Sequence, residues 1–325
     1  MYMMRFDMRA PATGAPAADL YAAALEICAW SETRGALSAV VCEHHGSPDG
    51  YLPAPLLMAT AMAARTATLP IMVAIFQLPL YDPVKIAEEM CVLDIVSRGR
   101  VGYVAGLGYV PAEYEMHGVD FHRRGAIADE KLALLLKAVK GEPFEHEGRH
   151  IHVTPAPFTP GGPRINWGGG SLPAARRAGR FGLGFLAEKG DPALREAYET
   201  ACRESGHPTG MCRLPNAEEA SVVFVADDLD AAWAELGPYL MHDVRAYAIW
   251  NEGKTGTASI SAARTAEELR AENRSHRILT VEQATARVKA GAPLPLHPLI
   301  GGLPPKTAWK YLETVVDKVL PALAG

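Results

Sequence analysis

Residues Asp94–Glu130 read D-I-V-S-R-G-R-V-G-Y-V-A-G-L-G-Y-V-P-A-E-Y-E-M-H-G-V-D-F-H-R-R-G-A-I-A-D-E. The stretch opens as the end of a helix and turns at Arg98-Gly99-Arg100. A short apolar strand, Val101 to Ala105, stops at Gly106-Leu107-Gly108. A long loop follows, and a new helix starts near Arg123 or Arg124. This succession is one unit of an alternating α/β fold. Glycines just past a strand let a flat ligand lie against bare backbone, because no Cβ holds it off. In a parallel barrel that strand end is where sites are built.

The same alternation runs outward in both directions. Upstream, strands are expected at Arg5–Met8, Ser38–Cys42 and Ile71–Gln77. Helices are expected at 19–34 with Asp19 as cap, at Pro55–Arg65 and at Pro83–Ser97 with Asp82 as cap. Downstream, a helix over Arg124–Lys140 leads into a proline-rich connection with a hairpin near Gly148. Strands follow at Arg164–Trp167, Gly184–Ala187, Ser221–Val225 and Leu294–Ile300. Helices follow after Ser171, at 192–205, at 229–240, after Thr280 and at 304–323. Eight strand–helix pairs favour a (β/α)8 TIM barrel over the alternative, a doubly wound sheet, in a single domain over residues 1–325. Residues 241–283, polar and without a clear period, read as an insertion or lid between the seventh and eighth strands.

The chain has 325 residues, 49% hydrophobic and 21% charged, with net charge −5. That composition suits a globular core and carries no basic stripe for nucleic acid. Leu69 to Tyr81 is too short and interrupted to span a bilayer, and Met1 to Ala10 lacks the apolar core of a secretory signal. Five scattered cysteines without a C-x-x-C pair fit reduced thiols in a cytoplasm.

Several groups carry possible chemistry. Glu43-His44-His45, at a strand end, suits proton transfer or a metal, or a packed and hydrogen-bonded pair. Gly168-Gly169-Gly170-Ser171 before a helix, with Arg176 and Arg177 a turn on, suits a phosphate. Gly106 and Gly108 leave room for a flat ring, with Glu113 beyond them, or form a plain strand exit. Gln77 ends an apolar strand facing either a heterocycle edge or loop backbone. Arg123 and Arg124 read as ion pairs at a helix start. Trp167, Tyr247 and Trp250 read as packing before cavity lining. His150 and His152 lie at the wrong place for a barrel metal site and read as a solvated hairpin.

Three of these stretches together resemble the luciferase-like flavin-dependent oxidoreductases: E-H-H at 43–45, P-x-K-x-A-E-E-x-x-x-L-D-x-x-S-x-G-R-V at 83–101, and G-G-G-S at 168–171. The resemblance covers nearly the whole chain apart from about 239–283. It implies FMN or the deazaflavin F420 at the barrel mouth, with no metal. His44 would act as acid and base beside the ring. Ala74, Ile75, Phe76 and Gln77 would hold the ring's flat face, often through a cis peptide. Gly106 and Gly108 would pass close to it, and Gly169, Gly170 and Ser171 would meet the phosphate. Where luciferase has a phosphate-contacting arginine this sequence has Leu107, which leaves F420 or a differently held FMN open. The implied activity is a monooxygenase in which FMN, reduced by a separate flavin reductase, and O2 oxygenate a small organic substrate. Hydride transfer with F420 is the alternative. A homodimer is implied too. A flavin-binding barrel without turnover and a metal-dependent hydrolase are the readings outside this class.

Overall fold

The computed structural model describes residues 1–216, 219–251 and 260–323. In chain order the elements are β1 (Tyr2–Phe6), α1 (Ala17–Ser31), β2 (Ala36–Val41), α2 (Pro55–Arg65), β3 (Ile71–Gln77), α3 (Pro83–Ser97), β4 (Val101–Gly106), α4 (Pro111–Met116) and α5 (Arg124–Ala138). There follow β5 (Phe144–His146), β6 (Arg149–Ile151), β7 (Ile165–Gly169), α6 (Leu172–Arg180), β8 (Gly184–Ala187), α7 (Pro192–Glu204), β9 (Cys212–Arg213) and β10 (Val222–Val225). The chain closes with α8 (Leu229–Trp250), α9 (Ala266–Glu272), β11 (His276–Leu279), α10 (Val281–Lys289), β12 (Leu294–Leu296) and α11 (Pro305–Thr314).

Two compact units divide the chain: Met1–Val40 with Ser47–Pro53 and Asn216–Gly325, and Val41–Gly46 with Ala54–Pro215. In the first, β10 pairs in parallel with β11 and β12, and β12 with β1. In the second, β3, β4, β7, β8 and β9 pair in parallel in that order, while β5 and β6 form an antiparallel hairpin. The parallel strands of the second unit bury Val73, Phe76, Tyr103, Val104, Ala105, Trp167 and Phe185 almost completely. Near-continuous apolar runs of this kind belong to strands covered on both faces.

The S-R-G-R turn at 97–100 is structural. Arg98 caps α3 in the left-handed region, and Asp94, buried in the last turn, accepts from the backbone N–H and hydroxyl of Thr159 at 2.6 and 2.9 Å. The Arg100 guanidinium donates to the carbonyls of Ala63, Thr66 and Leu69 at 2.8, 3.1 and 2.9 Å. One side chain thus ties the end of α2 to the start of β3.

Helices α2 and α3, strands β3 and β8, and the hairpin near Gly148 stand where the sequence places them. Other elements differ for local reasons. Strand β1 ends at Phe6, not Met8, because Met8 turns with φ 58°. Asp19 lies inside the first turn of α1, which starts after Pro16 without a side-chain cap. Helix α4 falls inside what reads as loop, and α5 ends at Ala138. Between residues 241 and 283, α8 continues to Trp250, and α9 and β11 follow. The inward side there mixes Asp243 with Met241, Val244, Tyr247 and Trp250, and the buried charge interrupts the hydrophobic period. The eighth expected strand is only Leu294–Leu296. No described helix is long and apolar enough to cross a membrane.

Replacing Arg100 by methionine keeps the stem and strips the carbonyls of their donor. Its expected cost is about 2–4 kcal/mol, read as a lowered urea midpoint at unchanged slope.

Candidate active site

Residues 43–45 follow β2, Gln77 closes β3, and the loop after β4 leads into α4. Helix α4 starts with Pro111 at its first position, which puts Glu113 in the first turn. Glu113 is 2% exposed. Its Oε1 lies 2.7 Å from His44 Nδ1 and accepts from the His45 backbone N–H at 3.0 Å, and its Oε2 accepts from Gln77 Nε2 at 2.7 Å. Burial pushes this carboxyl up, but the bonds from His44, His45 and Gln77 outweigh it and hold it below its ordinary value. An ionised Glu113 can only accept, so His44 Nδ1 is the donor in their contact. Tyr109 Oη lies 3.4 Å from His44 Nε2.

A second carboxylate behaves in the opposite way. Glu43 is buried behind the histidines, and burial holds its pKa above the ordinary value. His45 Nε2 at 2.8 Å, the Tyr81 hydroxyl at 2.8 Å and the Gln77 backbone N–H at 3.4 Å only partly offset this. Burial and then Glu43 push the Tyr81 phenol up in turn. Two neighbouring carboxyls with opposed shifts are a common arrangement where protons are handled. His45 also meets His117 edge to face, with ring centroids 4.5 Å apart.

The residues expected to hold a cofactor sort differently. The Ala74–Ile75 peptide is cis, at the point where the register of β3 against β4 shifts. A Cβ on Gly106 would come within 2.4 Å of Ile75 Cγ2, and one on Gly108, where φ is 74°, within 1.8 Å of Gln77 Oε1. Thus the room these glycines leave is taken by two protein side chains, which they let stand where they do. Ser171 caps α6 by accepting from the Ala174 N–H, as expected. Beside it, Gly170 packs against Glu188 and Lys189. Arg177 does not reach toward this turn: it ion-pairs with Asp129, donates to the Gly125 carbonyl and covers the ring of Trp167. Trp167 is therefore packing. Arg124 donates to the Phe121 carbonyl and lies over that ring, 3.8 Å from its centroid, rather than in an ion pair. His150 is exposed in the β5–β6 hairpin, bonded to Glu145.

The sequence reading leaves Glu113, Tyr81 and Tyr109 without roles. The signal for Glu113 is an acidic residue two places after a proline, just past a glycine strand exit. The first unit holds a second polar centre that the sequence reading missed entirely. Arg9 is 0% exposed, and its guanidinium lies 4.6, 5.2 and 4.7 Å from the rings of Tyr51, Tyr247 and Trp250. It pairs with Asp49, and its Nε lies 3.3 and 3.8 Å from Asp7 and Asp243. Burial pushes these three carboxyls up; histidine and arginine neighbours pull each of them below its usual value. Asp7, Asp243 and His297 are close enough to share a metal ion. Arg5 and Arg9 already supply positive charge to the same carboxylates. Tyr247 and Trp250 thus pack on Arg9.

Glu113 stabilises the fold in its ionised form, so that contribution is complete above the ordinary carboxylate value of 4.5 and is lost as pH falls through its depressed folded value. The Glu113→Gln variant is therefore expected to be less stable than the parent at neutral pH. The gap should narrow only below that range, in urea denaturation repeated across pH.

The comparisons fit this geometry. A model of the family described as luciferase-like monooxygenase matches residues 4–294. The uncharacterized protein y4vJ of Sinorhizobium fredii is 36% identical over 125 residues, which span 38% of this chain and 36% of that protein. The crystal structure of monooxygenase RslO1 from Streptomyces bottropensis superposes with a TM-score of 0.77 at 18% identity, over 99% of both chains. The oxygenating constituent of 3,6-diketocamphane monooxygenase from Pseudomonas putida, a type II Baeyer–Villiger enzyme solved with FMN, does so with a TM-score of 0.68 at 21% identity, over 98% of both chains. With the family model matched along most of its length, the chain belongs to the luciferase-like monooxygenase family, and its α/β fold is that family's barrel.

Proposed function

We propose that this protein is a flavin-dependent monooxygenase that takes reduced FMN from a separate reductase and, with O2, oxygenates a small organic substrate. The observation that carries the reading is the His44–Glu113 pair. It is a buried imidazole whose Nδ1 is fixed by a carboxylate held in its ionised form and whose Nε2 faces Tyr109, just past the end of β2.

The chain's own groups suit a flavin mononucleotide. Gln77 Oε1 is a buried acceptor with no hydrogen-bond partner among the described residues, and a donor on a heterocycle edge would satisfy it. The cis Ala74–Ile75 step stands beside it in β3. At the start of α6, the Ser171 hydroxyl and the N–H groups ahead of Pro173 suit a phosphate. Bound there, reduced FMN would supply the electrons and the reactivity toward O2. The protein's part is position and protons. Glu113 holds the His44 ring with Nε2 toward the reaction, and His44 Nε2 gives or takes the proton that the oxygen chemistry requires. Gln77 joins Glu113 to the ring-binding strand. Burial around Glu43 and Glu113 keeps water from the same groups. In this reading the assembly is a homodimer, the reductase is a separate protein, and the cofactor is FMN, with F420 the alternative.

Anaerobic titration with reduced FMN and with reduced F420, followed by admission of air, tests the cofactor. Reduced FMN is expected to bind and to reoxidise more slowly than in free solution. Binding of F420 alone moves the chemistry to hydride transfer, and binding of neither removes the flavin reading. Ser171→Asp keeps a capping side chain but sets a carboxylate at the phosphate position. It should weaken reduced FMN by about tenfold or more while leaving reduced riboflavin unaffected. With any substrate that turns over, His44→Ala should lower the rate by about 10²–10⁴-fold at retained FMN affinity.

A further inference from the structure

His44 has a distinct neighbour on each ring nitrogen, and both come from the one loop after β4. Glu113 meets Nδ1 at 2.7 Å, and Tyr109 Oη faces Nε2 at 3.4 Å with the two rings edge to face at 83°. The turn that aims Tyr109 is well determined. Gly108 adopts φ 74° just before it, and the Tyr114 hydroxyl donates to the Leu107 carbonyl just behind it. Other polar groups nearby have different commitments: Tyr81 donates to Glu43, the His45 ring bonds Glu43, and Gln77 donates to Glu113. Tyr109 is also half-buried, whereas His44 is buried. A phenol placed between a buried imidazole and the outside is a route for protons.

We infer that Tyr109 is a proton relay that resupplies His44, a role that rests on the proton-transfer function proposed for that histidine. After His44 gives up its Nε2 proton, the Tyr109 O–H bond breaks and its proton forms a new N–H bond at Nε2. In the same movement the phenol oxygen takes a proton from water. One proton has moved inward, hydroxide is released to solvent, and no electrons change hands. Tyr109 acts through His44 and does not itself touch the substrate. The 3.4 Å separation is that of a resting contact, and such contacts shorten when a site is loaded.

The experiment uses the whole, flavin-free chain with ¹⁵N-labelled histidine, and His44→Asn assigns the His44 signals. The His44 Nε2 resonance reports the partner at that nitrogen. Tyr109→Phe, which removes the phenol oxygen at 3.4 Å, should move it. 3-Fluorotyrosine at position 109, a stronger acid, should move it the other way. Packing alone would treat the three rings alike, so a resonance unmoved by both changes overturns the relay. Thermal unfolding of each variant checks that the fold is kept. Because no cofactor is present, the result stands whichever flavin the protein binds.

Discussion

A carboxylate removed from water must be given donors or it will take up a proton instead. Glu113 is given three, from His44, the His45 backbone and Gln77. Those donors come from the ends of β2 and β3, while Glu113 itself arrives from the helix after β4. Three successive strand ends are thereby held together by one charge. The arrangement also bears on the chemistry, because the same charge fixes His44 Nδ1 as a donor. Glu43 shows the alternative outcome a few ångströms of chain away. Its donors are weaker or more distant, burial prevails, and its carboxyl is pushed toward the neutral form.

The first unit meets the same difficulty with a different solution. Around Arg9, three buried aspartates are met by two arginines and by histidines at 242, 276 and 297, while three aromatic rings enclose the guanidinium. Arginine's flat, weakly hydrated cation suits this placement better than an ammonium would. The last turns of α8 attach there through His242, Asp243, Tyr247 and Trp250. Polar and aromatic contacts thus do for that end of the helix what apolar packing does for its start.

Much of this was legible in the residues. The proline-opened helices α2 and α3, the apolar run of β3 and the capped start of α6 are local features with local causes, and the structure repeats them. E-H-H, the S-x-G-R-V turn and G-G-G-S together identified the family. What could not be read depends on encounters between distant residues. Glu113 and His44 are 69 positions apart, and Asp49 and His242 are 193 apart. Nothing in P-A-E-Y or S-P-D-G alone says that they meet. The later turns of α8 were hidden for a related reason, since the buried charge that interrupts their inward side finds its partner only in the folded chain. Arg100 was quoted as part of a family signature, yet its four hydrogen bonds to residues 63–69 show that the signature preserves a joint in the scaffold.

The close fit between Gly108 and Gln77 has a consequence for how this site can diverge. A side chain at position 108 would collide with the Gln77 amide at 1.8 Å. A shorter residue at 77 would admit it, but would also withdraw a donor from Glu113. Positions 77 and 108 are therefore coupled: a side chain at 108 would displace the Gln77 amide, and Glu113 would lose a donor with it.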